Sequence, residues 1–174
     1  PTTFSNTLTV GEDDTGYDVK FYGATSGINM MWDASSDRLE LTDNAKINFG
    51  NSNDLSIYHT GSHSNILANG TGDLIITQDT VDQDIIFKCD DGSGGTETYF
   101  FLDGSASSGN PITIFPDLSG LYFGTGADCS FRHDGTDMTL ENNAGDFIIT
   151  CATNDKDIIF KSDDGSGGTT AYLP

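Results

Sequence analysis

DIIFKCDDGSGGT, residues 84–96, decides the fold, because residues 157–169 write it again as DIIFKSDDGSGGT. The only change is Cys89, which becomes Ser162. Each copy opens on an apolar triplet, Ile85-Ile86-Phe87 or Ile158-Ile159-Phe160, and closes on Asp, Gly and Ser. β-Branched and aromatic side chains suit a pleated, packed surface. Asp and Ser bond their own backbone, and Gly tolerates positive φ. The stretch therefore predicts a strand running into a tight turn.

Outward from it, three more motif pairs recur in the same order. KINFG (46–50) matches GLYFG (120–124), DLSIYHTG (54–61) matches DCSFRHDG (128–135), and GDLIIT (72–77) matches GDFIIT (145–150). The spacing is 74 residues from Phe49 to Phe123 and 73 from Asp84 to Asp157. A shorter echo, residues 31–39 against 57–66, predicts a partial third unit ahead of the two. The organisation expected is an N-terminal β segment with that partial repeat (1–44), a first repeat (45–118) and a second (119–174). Tyr99 runs on into FFLDG whereas its match, Tyr172, is followed by Leu173-Pro174, so the second repeat is read as truncated, a segment of a longer chain.

The rest of the chain reads the same way. Strands are expected at 7–10, 17–22, 28–32 and 38–41, with acidic turns at 11–16 and 33–37. Leu39 and Leu41 alternate with polar residues, the period of a half-buried strand. PITIFP (111–116) is a strand fenced by prolines, and GSASSG (104–109) a flexible link. No window carries apolar residues at i, i+3, i+4 and i+7, and strong helix formers are sparse. The fold class is all-β, with strands of about five to seven residues.

Such Gly-rich units are too small to bury an apolar face alone and need a neighbour, either the next unit or the same unit of another copy. Wholly apolar triplets imply strands covered on both faces. The arrangement expected is a repeat-built β-fibre, an intertwined homotrimer that also removes open strand edges. The alternative is a single-chain β-solenoid or sandwich.

Seven Lys and Arg against 27 Asp and Glu leave a net charge of −20. That surface repels phosphate backbones and anionic membranes, so nucleic acid is excluded as a partner. No apolar run is long enough for a membrane span, and no insertion is expected. Cys89, Cys129 and Cys151 are odd in number and lack CxxC spacing, which indicates neither a disulfide framework nor a zinc site. Cys129 stands where the first copy has Leu55, the place of a small buried apolar residue.

Two stretches carry a resemblance. VGEDDTGYDVKFYG (10–23), with MMWD (30–33) after it, resembles tail-fibre-like virion proteins of tailed bacteriophages, those of marine and cyanobacterial phages above all. FGNSNDLSIYHTG (49–61) resembles a repeat of the same group. The resemblance implies an external, elongated, trimeric β-fibre that helps attach the virion to its host, assembled in the host cytoplasm. Its implied partners are copies of itself, other virion tail proteins, and a host cell-surface glycan or protein. It supplies no catalytic or binding residues to carry over.

Candidate chemistry is thin. GSGGT at 92–96 and 165–169 lacks the Lys and Ser/Thr of a phosphate loop and follows two Asp residues, so plain turns are expected. The acidic turns at Glu12–Asp14, Asp90–Asp91 and Asp163–Asp164 offer hard oxygen ligands for Ca²⁺ but without the spacing of a known Ca²⁺ loop; Asx-turn chemistry is the plainer account, and no cofactor is expected. His59 and His133 occupy matching positions and would make a three-nitrogen metal site only on a trimer axis. The Asp residues lie beside Gly in turns, where nothing desolvates a general acid, and no nucleophile elbow is present, so no enzyme is expected. Trp32, Tyr58, Tyr99, Phe100, Phe101, Phe123 and Phe131 could stack on sugars but are expected to pack as core.

Overall fold

A computed structural model describes residues 7–105 and 109–173. It is all-β with no helix, and strand makes up 41% of it, well above the share usual in globular proteins. The strands form several small antiparallel sheets, the type that short hairpin connections produce. The chain divides into two compact units, 1–76 and 77–174, so the division falls inside the first long repeat.

Unit 1 holds two three-stranded meanders. The first is β1 (Val19–Tyr22), β2 (Asn29–Asp33) and β3 (Arg38–Leu41). The second is β4 (Lys46–Phe49), β5 (Leu55–His59) and β6 (Ser64–Ala68). Unit 2 begins with β7 (Ile85–Asp90), β8 (Thr96–Asp103) and β9 (Ile112–Ile114). A further meander of β10 (Gly120–Phe123), β11 (Cys129–His133) and β12 (Met138–Asn142) follows, then a hairpin of β13 (Phe160–Asp163) and β14 (Thr169–Leu173).

The two long-repeat meanders share one register. Ile47 faces Ile57 and Ile57 faces Ile66 in β4–β6; Leu121, Phe131 and Leu140 form the same row in β10–β12. Phe49–Leu55 and Phe123–Cys129 form the adjacent row. Because side chains alternate between faces, these rows make one face apolar. The turn between the first two strands needs glycine in both copies. Gly50 and Gly124 sit at φ 83° and 85°, and a Cβ there would meet the Asp54 and Asp128 carboxylates at 2.1 and 2.3 Å.

β1–β3 has the same strand order and the same closing pair before its last hairpin loop, Asp33–Arg38 for His59–Ser64. Its apolar face is the opposite one. Val19–Trp32–Leu39 and Phe21–Met30–Leu41 are its apolar rows, and they stand where β4–β6 has Lys46–Tyr58–Asn65 and Asn48–Ser56–Leu67.

Three strand expectations need correction. Residues 7–10 lie outside every strand, the ladder of the first sheet beginning only at Val19. β1 begins at Val19 rather than at residue 17. In the second DIIFK copy, pairing starts at Phe160, whereas in the first it starts at Ile85, which faces Leu102. Pro174, which matches Phe101, lies outside the described residues, as do residues 106–108 of the expected flexible link at 104–109.

The expectation of an aromatic core fails within this chain. Among the described residues only Ala45, Ser56 and Ser130 are buried. Trp32, Tyr99, Phe123 and Phe131 are exposed, and Tyr58, Phe100 and Phe101 are half-buried. A three-stranded sheet with no second layer over it leaves its apolar face in water. The chain exposes 14320 Å², whereas a folded monomer of its mass exposes about 8200 Å², and two separate domains of half that mass about 9900 Å².

Candidate functional site

Among the described residues no titratable side chain is buried, and the candidate groups lie on sheet faces and in turns. The uncovered apolar rows come first. Matching positions are exposed almost identically: Ile47 and Leu121 at 41 and 42%, Ile57 and Phe131 at 41 and 42%, Phe49 and Phe123 at 50 and 54%. Side chains of this kind in a covered sheet would be nearly fully buried. Two patches of one design, built by one register, therefore face outward.

β7–β9 is apolar on both sides. Phe87, Phe100 and Phe115 stack along one face, with ring centroids 4.5 and 5.6 Å apart, and Ile86, Phe101 and Ile114 form a row on the other. The triplet Ile85-Ile86-Phe87 supplies both faces, as the sequence pattern implies, yet Ile86 and Phe87 remain exposed.

The acidic turns close on their own hydrogen bonds. Asp90 Oδ1 accepts from Gly92 N at 2.6 Å, and Asp91 Oδ1 accepts from Ser93 N and Oγ at 2.9 and 2.6 Å. The second copy repeats this with Asp163 to Gly165 N (2.8 Å) and Asp164 to Ser166 N and Oγ (2.8 and 2.6 Å). Bonds from the serine hydroxyl and backbone to the charged form hold the Asp91 and Asp164 carboxyls below the usual carboxylate range. The Asx-turn geometry is thus that expected from the sequence, and no group of three His, Cys, Asp or Glu side chains gathers among the described residues.

The matching histidines differ. His59 Nδ1 lies 3.1 Å from Ser64 Oγ, across the hairpin. His133 Nδ1 lies 2.8 Å from Asp117 Oδ1, on the turn before β10, and 3.1 Å from Gly135 N. One nitrogen cannot serve both partners: carrying a proton it donates to Asp117, and bare it accepts from Gly135. The hydrogen bond to Asp117, helped by the charges of Asp117 and Asp134, pushes the His133 pKa above its ordinary value. Asp134 closes the next turn by accepting from Thr136 N and Asp137 N, and these bonds hold its pKa low.

A cleft of about 530 Å³ opens in unit 2, lined by Tyr99, Tyr122, Asp91, Glu97, Asp117 and Leu118. Its walls are joined by the Ser119 hydroxyl, which donates to the Tyr99 carbonyl at 2.5 Å. Tyr99 in turn donates from its phenol to the Asp90 carbonyl at 3.1 Å. The sequence marks Tyr99 as a stacking candidate but gives no sign of the cleft, whose lining comes from three separate segments.

No family model, no curated protein and no solved structure matches this chain.

Proposed function

We propose that this chain is a repeat-built structural segment of a tailed-phage virion appendage, a tail fibre whose copies cover one another's apolar faces as a homotrimer. Its role is to support attachment to a host surface through several weak, non-catalytic contacts made at once. The observation that carries this reading is the surplus of exposed surface, at least about 4000 Å² beyond what separate folded domains of this mass expose. In an obligate assembly each interface buries roughly 2000–5000 Å² in total, and a trimer subunit shares in two, which accounts for a surplus of that size. The resemblance of residues 10–23 and 49–61 to tail-fibre-like proteins supplies the biological setting. Removal of attachment by the purified chain, as a competitor of phage adsorption, tests it. Unchanged adsorption at saturating chain would count against the role.

The unit 2 cleft favours a second reading, a spike that handles glycans. Tyr99 and Tyr122 offer ring faces to sugar, with Asp91, Glu97 and Asp117 as acceptors for hydroxyls. Release of reducing ends from a host polysaccharide would move the assignment there. A cellular adhesin or extracellular filament of similar repeats would instead be revealed by absence of the chain from purified virions.

A further inference from the structure

Two apolar runs have no strand partner anywhere in the described chain. Leu74-Ile75-Ile76 and Phe147-Ile148-Ile149 occupy the same position in the two repeats. Both lie outside every strand, and among the described residues no backbone N–H or C=O of either run takes a backbone partner. All six side chains are exposed, Ile75 and Ile148 at 78 and 76%. Neither run contains Pro or a charge, and both are β-formers. An open strand of this composition is a template for pairing with another chain, and natural proteins normally blunt such edges with charge, Pro or a bulge. Here the same unblunted run is written twice.

We infer that these two runs are inter-chain strands: each pairs with the same run of another copy of this chain, completing backbone ladders that one chain cannot close. The inference rests on the self-assembly reading above and names the contact. Several observations choose a second copy over a foreign partner. The two runs are 73 residues apart in a chain whose neighbouring sheets repeat in one register, so parallel copies bring both pairs level at once. A foreign strand would satisfy one run and leave the other open unless it carried the same repeat. The exposed surplus of the whole chain also matches the area that copies of itself would remove. Copies running parallel about a threefold axis carry 74–76 of every chain at one level and 147–149 at another, one edge of each run meeting the opposite edge of its neighbour's. Backbone pairing supplies affinity without side-chain specificity, the mode of strand addition to a sheet edge.

Cys151 makes the contact readable, since it follows Thr150 directly and its side chain is exposed. Its match in the first repeat is Gln78. The test uses the 174-residue chain carrying Cys89→Ser, the residue already present at Ser162. Mild oxidation at micromolar concentration is expected to join copies through Cys151, and Cys151→Gln to abolish the product. Hydrogen exchange on the unmutated chain is expected to show amides of 74–77 and 147–150 slowed about 100-fold or more relative to unpaired peptide. Ile75→Asp with Ile148→Asp is expected to leave the β-sheet circular dichroism and lose the assembly. An assembled chain whose 74–77 and 147–150 amides exchange at free-peptide rates would overturn the inference and leave the self-assembly reading standing. A chain that is a monomer at micromolar concentration would overturn both.

Discussion

The meanders β4–β6 and β10–β12 are two drafts of one design, and what they share marks the rows that the proposed assembly would cover. Several exposed polar positions differ, although Asp54/Asp128, Ser56/Ser130 and His59/His133 are kept. Lys46, whose ammonium sits 4.3 Å over the Tyr58 ring, is replaced by Gly120 beside Arg132. Ser64, the partner of His59, is replaced by Met138, and His133 turns to Asp117. Thr60 closes one hairpin loop through its hydroxyl, and Asp134 closes the other through its carboxylate. The apolar rows and the positive-φ glycines are present in both. A row that stayed in water would be under no physical pressure to remain apolar, whereas a covered row would be.

The sharpest way to break this comparison is to charge the middle of both rows. Ile57→Asp with Phe131→Asp should reduce the assembled mass to that of one chain in sedimentation, while a Thr139→Asp control on the opposite face of β12 leaves it unchanged. Unchanged mass in the double variant would mean that the rows are not what copies cover.

Next in size is the shared turn. Gly50→Ala and Gly124→Ala each force a side chain into the left-handed region against an aspartate, at a cost on the order of 1–3 kcal/mol. Thermal melts should show similar losses for the two, since the surroundings match. A loss in one copy only would show that the two turns are not equivalent.

A third difference predicts a gain. Asn44 and Leu118 hold matching turn positions at φ 65° and 68°, and their N–H groups donate to His59 and His133 carbonyls at 2.7 and 2.8 Å. Asn adopts that conformation at a lower cost than Leu. Leu118 is 74% exposed, so Leu118→Asn gives up little burial and should stabilise by about 0.5–1 kcal/mol. A lowered melting midpoint would show that Leu118 is held for a contact made elsewhere.

The smallest expected effect is in pH. The folded pKa of His133 lies above its unfolded value, so its pairing with Asp117 contributes fully below the unfolded pKa and is lost as pH rises through the folded one. The Asp91 and Asp164 turns carry the opposite sign, because their carboxyls are depressed in the fold. Their contribution is present above the unfolded carboxylate value and disappears as pH falls through the folded one. All three groups are exposed, and the effects should be visible as NMR titration shifts rather than in melts. Asp117→Asn should lower the His133 titration midpoint; an unmoved midpoint would remove the pair from the account.

Much of the local structure was legible in the sequence, for reasons that particular residues make plain. The Asx turns after Asp90 and Asp163 follow from Asp-Asp-Gly-Ser alone, since every bond in them spans four residues or fewer. The β4–β6 and β10–β12 registers follow from alternation around Ile57 and Phe131. Partners remote in sequence were not legible. Asp117 and His133 are 16 residues apart and meet only because a turn and a hairpin end coincide. The reversed face of β1–β3 escaped because Met31 matches Ile57 in character, while the rows that decide the face run through Met30 and Trp32. Residues 7–10 and 74–76 have strand composition yet lie outside every strand, and composition reports propensity, not pairing.

The central claim is that these repeats are covered by copies of themselves. Light scattering on the unmutated chain at micromolar concentration tests it most directly. The account predicts a mass about three times 18.5 kDa, falling toward one chain only as the β-sheet signal is lost. A folded species of a single chain's mass, with a cooperative melt independent of concentration, would contradict it.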